Sequence, residues 1–215
     1  MGIRLDEPVV TLSNIVMAFF CLLFAYKLIK NPAFHPSKKW FIGHFITLAI
    51  ATLFGGFMGH CFLYVGGMSY KIPGWLIGIL AVNFLEIGTW LWSRSQGLKI
   101  NLGWGLFFSA LHAIVFAVLA VVKLKFLFVA LQSVVGLLGV VLLLEFKLKK
   151  NPQQAKASKW MIRGIYQAGI AAFVFALKLS PHEYFNHLVF GHLFMVLSSW
   201  AFYKGVEAKL ESLEA

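Results

Sequence analysis

Of 215 residues, 60% are hydrophobic and 13% charged, and the formal net charge is +11. A soluble nucleic-acid-binding domain would share that charge but not the apolar content, so no nucleic-acid partner is expected and the basic residues are assigned to membrane orientation and lipid-headgroup contact. Cys21 and Cys61 show no paired spacing, which points away from a disulfide framework and from a cysteine metal site.

Taken in chain order, the apolar runs are each long enough, at ~20 residues, to cross about 30 Å of hydrocarbon. The first covers residues 10–29 and lacks the short core and small-residue cleavage site of a signal peptide, so it reads as a permanent helix. Lys27, Lys30, Pro32, Pro36, Lys38 and Lys39 close it, and the second runs from 40 to 64. A Gly66-Gly67 turn with Lys71 and Pro73 leads to the third, 74–93; the fourth covers 102–121 and the fifth 126–146. The basic stretch Lys147 to Lys159 precedes the sixth, 160–179, and the seventh covers 183–204. All six prolines fall in connections or at helix starts, where the missing N–H costs least. All seven tryptophans fall near segment ends, where an amphipathic ring prefers the interface. The expectation is one domain over 1–215: an all-α, multi-pass integral membrane protein of the cell or inner membrane, folded as a seven-transmembrane-helix bundle.

Lysine and arginine concentrate in the connections after segments one, three and five and in the tail, which puts the N-terminus outside and the C-terminus in the cytoplasm. That topology gives Asp6, Glu7, His60, His187 and His192 one membrane depth on the outer side. His60, His187 and His192 supply three imidazoles, a ligand set for a catalytic zinc completed by water. Glu183, four residues before His187, is the nearest carboxylate for a general base. His187 and His192 are five residues apart, about 140° around an ideal helix, so His192 joins them only if the helix is distorted near Gly191. Gly55, Gly56 and Gly59 read first as sites of close helix packing.

A second group lies deeper. Glu86 is a carboxylate well inside a segment, with Asn83 one turn earlier, and His112 and Ser109 lie in the middle of segment four. A Glu86–His112 hydrogen bond is the simplest reading, because a buried carboxylate must find a partner or take up a proton. A proton relay is the functional alternative. His44 is expected at the inner interface and His35 in a loop.

Asp6-Glu7 followed by Thr11-Leu12-Ser13-Asn14, then Gly56-Phe57-Met58-Gly59-His60, then paired histidines early in the last segment resemble the CREST superfamily, which includes the alkaline ceramidases and the adiponectin and progestin receptors. The resemblance implies zinc between helices two and seven, held by His60, His187 and His192, and hydrolysis of an amide bond in a ceramide-like membrane lipid. It also implies calcium near Asp6, Glu7 and Asn14. The chain departs from that pattern in three places: Gly56 stands where the family has a serine, no aspartate opens segment three, and four residues rather than three separate the histidine pair. Competing expectations are a non-catalytic seven-helix protein and a transporter or proton conductor working through Glu86 and His112.

Overall fold

The computed structural model describes residues 5–213, and its regular structure over that range is entirely helical. Helix α1 spans Pro8–Lys30: Pro8 occupies the first turn, where its missing N–H costs nothing, and Lys27 and Lys30 face the negative end of the helix dipole. Helix α2, Lys38–Gly56, continues as a π-helical turn over Phe57–Cys61. One α turn, Leu63–Gly66, and a 3-10 turn, Gly67–Lys71, then lead into α3, Ile72–Ser95. Gly67 takes a positive φ (59°), open to glycine, where the chain reverses. Helix α4, Leu102–Lys123, is capped by the Asn101 side chain, which accepts from the Trp104 N–H. Helix α5, Leu127–Leu148, carries a π-helical stretch over Val135–Leu142. Helices α6, Pro152–Leu177, and α7, His187–Glu211, complete the bundle.

Contacts run α1 to α2, α2 to α3, α3 to α5, α5 to α6, α6 to α7 and α7 back to α1, while α4 packs on α3 and α5. Helix α4 turns Phe107, Leu111, Ile114, Val118 and Val122 outward, as lipid-facing positions require. Where α1, α2, α3, α6 and α7 meet, the core is built from Phe24, Phe41, Phe45, Trp92, Met161 and Phe202.

Six segments are long and apolar enough to cross a membrane: Pro8–Lys30, Lys38–Cys61, Leu63–Ser95, Leu102–Lys123, Leu127–Leu148 and Pro152–Leu177. The protein is therefore an integral membrane helical bundle. Helix α7 is not among the six, because His187, His192, Ser198, Ser199 and a charged final turn lower its hydropathy. Its contacts with α1 and α6 bury much of its surface, so it need not be apolar all round.

Three helix ends differ most from expectation. Helix α6 begins at Pro152 rather than 160, because Asn151 caps it by accepting from the Gln153 N–H and Pro152 opens its first turn. Helix α7 begins at His187 rather than 183, because the Asn186 side chain accepts from the Leu188 and Val189 N–H groups. It then runs on to Glu211 through what read as a charged tail.

Candidate functional site

At the end of the bundle where α1 begins and α2 ends, two histidines are held by α1. Glu7 takes a left-handed backbone (φ 46°), a conformation that costs a non-glycine residue about 1–2 kcal/mol, and its carboxylate meets His60. His60 Nδ1 donates to Glu7 Oε2 at 2.5 Å. His60 lies in the π-helical turn, whose wider winding changes the direction in which side chains leave α2. The Thr11 hydroxyl donates to the Gly56 carbonyl at 3.1 Å where that turn begins, and a Cβ on Gly56 would come within 2.9 Å of Asn14 Cβ, so α1 and α2 approach too closely for a side chain there. From α7, His192 Nδ1 lies 2.7 Å from Ser13 Oγ. The single Ser13 proton is used on the Val10 carbonyl at 2.7 Å, so Ser13 accepts and His192 Nδ1 is the donor. Both rings therefore carry their proton on Nδ1, and each Nε2 lone pair has no hydrogen-bond partner among the described residues.

The other expected members of the site fall differently. Helix α7 is regular from His187 to Glu211, so the distortion that would align His187 with His192 is not seen; Gly191 instead makes room for Phe175, whose ring a Cβ would meet at 2.6 Å. The His187 ring packs edge-on to Phe175 at 6.5 Å, and its backbone N–H donates to Ser180 Oγ. Glu183 is exposed on the segment before α7, so its helical spacing to His187 does not apply. Among the described residues, no group of three or more His, Cys, Asp or Glu side chains is arranged to hold a metal ion. Of the expected calcium positions, the Asp6 backbone N–H bonds the Cys61 carbonyl, Glu7 meets His60, and the Asn14 amide donates to the Val10 carbonyl inside the α1–α2 contact.

Mid-membrane, Glu86 is fully buried. The Trp90 indole N–H donates to Ser109 Oγ at 3.2 Å, Ser109 in turn donates to Glu86 Oε2 at 2.6 Å, and His112 Nε2 lies 2.9 Å from the same oxygen. Asn83 fixes the neighbouring turn of α4 by donating to the Ser109 carbonyl at 2.8 Å. His44 is buried between helices, with Nδ1 2.8 Å from the Ala81 carbonyl across the α2–α3 contact.

A third cluster was not anticipated. At the opposite end of the bundle from His60, Lys209 Nζ lies 2.9 Å from Glu145 Oε1, both side chains at 0% exposure. Ser158 donates to the other Glu145 oxygen at 2.7 Å, and Lys209 sits over the Trp92 ring. Trp92 is itself fully buried and donates to Gln154 Oε1 at 2.9 Å. Lys209 read as a tail residue and Glu145 as a segment end. The only available signal was that Lys209 follows the last apolar run on the α7 face that buries Phe202 and Val206.

Fold and sites together define a class: a polytopic helical membrane protein with polar clusters held between its helices at three depths. The chain matches the profile of a family of unknown function, DUF6962, over residues 9–211, and it belongs to that family. No curated protein and no solved structure matches it.

Proposed function

We propose that this DUF6962 protein crosses the membrane seven times, with its N-terminus outside, and carries at its outer end a metal centre of the lipid-amide-hydrolase kind. The observation that carries the reading is the matched state of two histidines from different helices. His60 and His192 each give Nδ1–H to α1, to Glu7 and Ser13 respectively, and each keeps an Nε2 lone pair. Metal-bound histidines are ordinarily prepared in this way: a carboxylate or other acceptor on one ring nitrogen fixes the tautomer and the ring plane and leaves the other nitrogen to the ion. His60 and His192 would hold the metal, and Glu7 and Ser13 orient them. A zinc ion bound there supplies Lewis-acid polarisation of an amide carbonyl and a nucleophile at neutral pH. Exposed Glu183 has no role in this reading. Its position at the membrane boundary suits a substrate drawn from the lipid layer, an N-acyl amide such as ceramide.

The test is release of fatty acid from a long-chain N-acyl amide by the zinc-loaded, purified protein in detergent micelles. Release that is lost in both His60→Ala and His192→Ala is expected, with Glu7→Gln weakening metal affinity about 10–100-fold as other such partners do. No release by the wild type, or release at the wild-type level by either histidine variant, overturns the reading.

A further inference from the structure

We propose that Glu86 and His112 form an intramembrane proton-carrying site, entered from the end of the bundle where α3 joins α4, so that the protein moves protons across the bilayer. This goes beyond the metal centre, which lies at the other end of α3 and involves different helices.

Three observations meet at the pair. First, its polar valence is incomplete. Ser109 and His112 both address Glu86 Oε2, while Glu86 Oε1, His112 Nδ1 and both amide atoms of Gln132 are buried without a hydrogen-bond partner among the described residues. Buried polar groups left in this state are uncommon in native proteins, and ionisable ones inside a membrane mark working sites. Second, α5 is shaped to admit the carboxylate. A Cβ on Gly136 would lie 2.3 Å from Glu86 Oε1, so only glycine leaves room for it, and Gly136 belongs to the π-helical stretch. Gln132 lies one turn away on the same face of α5. Third, a groove approaches the pair from one end. A groove of about 360 Å³ lined by Trp90, Asn101, Trp104, Gly105, Phe108 and Gly139 opens at the α3–α4 end. Trp90, one of its lining residues, starts the hydrogen-bond chain through Ser109 to Glu86. Toward the opposite end, Trp75, Ile79, Ala113, Ala120 and Val129 pack into an apolar cluster that has to part for the proton to exchange with water on that side.

The chemistry is a simple exchange. A neutral Glu86–His112 pair holds one acidic proton, as carboxylic acid beside imidazole or as carboxylate beside imidazolium. Breaking that O–H or N–H bond passes the proton to water on one side and leaves the pair with a single negative charge. Uptake of a proton from water on the other side restores it. No redox partner is needed, because only a proton changes place and a pH difference or membrane potential drives it. The groups facing the pair are Asn83 and Trp90 from α3, Ser109 from α4, and Gln132 and Gly136 from α5, none of which titrates in the physiological range.

The experiment is proton flux into vesicles containing the purified protein and a trapped pH-sensitive dye, driven by a potassium diffusion potential. Wild-type vesicles are expected to carry at least tenfold more flux than protein-free ones, and Glu86→Gln, which keeps the volume and the Ser109 hydrogen bond, to fall to the protein-free level. A hydrophobic carbodiimide, which reacts with the protonated carboxyl, is expected to add one whole reagent mass at Glu86 and to stop the flux. Wild-type flux equal to that of empty vesicles, full flux in a folded Glu86→Gln variant, or full flux after Glu86 has been modified would each overturn the proposal.

Discussion

Lys209→Met tests how much the bundle depends on its buried ion pair. Lys209 and Glu145 join the last turns of α7 and α5 with no solvent contact on either side chain, 2.9 Å apart. Methionine keeps the stem and removes the charge, so the Glu145 carboxylate retains Ser158 as its hydrogen-bond partner but loses its counter-ion. Orphaning one member of a buried pair costs about 3–5 kcal/mol, because the desolvation of the remaining charge is no longer compensated. Losing the Lys209 contact with the Trp92 ring adds about 0.5–2 kcal/mol. Lys209→Met combined with Glu145→Leu removes both charges, and such replacements of comparable volume are neutral or stabilising by about 1–4 kcal/mol. The double variant should therefore recover most of the loss. Reversible unfolding in mixed micelles of rising dodecyl sulfate content, followed by circular dichroism, gives the three free energies of the cycle. A single variant within about 1 kcal/mol of wild type, or a double variant worse than either single one, would refute the reasoning.

Other outcomes follow from particular contacts. Gly136→Ala forces a Cβ against Glu86 Oε1 and Val82 Cγ1 and should cost about 1–3 kcal/mol, whereas Gly139→Ala enters open space and should be neutral or gain up to about 1 kcal/mol; equal effects in the same unfolding assay would contradict the α3–α5 packing. Burial, and then the nearby Lys209 charge, hold the His35 imidazole below its ordinary range. Below about pH 6.5 the unfolded chain thus binds a proton that the folded protein resists, so stability falls as pH drops, and His35→Gln should flatten part of that fall. An unchanged slope in the variant would count against it. In a cysteine-free background, Ser69→Cys should react with an impermeant maleimide on intact cells and Gln153→Cys only after permeabilisation; the opposite pattern reverses the proposed topology.

Much of the helical layout was legible because a bilayer imposes a long apolar run on each helix it surrounds. Where that pressure lapses, sequence reading lost its footing. Lys156 and Lys159 made the start of α6 look like a loop, although Asn151-Pro152 is a good helix start. The charged end of α7 looked like a tail because Lys209 is satisfied by Glu145, a partner contributed by another helix. The Glu86–His112 contact was legible, since few polar groups share that depth. The contacts of Glu7 and Ser13 were not: Glu7 read as a calcium position, and its meeting with His60 depends on a left-handed backbone and a π turn that spacing on an ideal helix cannot reveal. Ideal spacing made His192 the histidine that needed a distorted helix; α7 is regular through both, and it is His192 rather than His187 that bonds to α1.

The central claim is that His60 and His192 are paired metal ligands. Elemental analysis of protein purified without added metal or chelator measures this directly. About one zinc per chain in the wild type, lost on His60→Ala and on His192→Ala but kept on Glu183→Gln, is the predicted result. A wild type without stoichiometric metal, or variants of both histidines that retain it, would contradict the account.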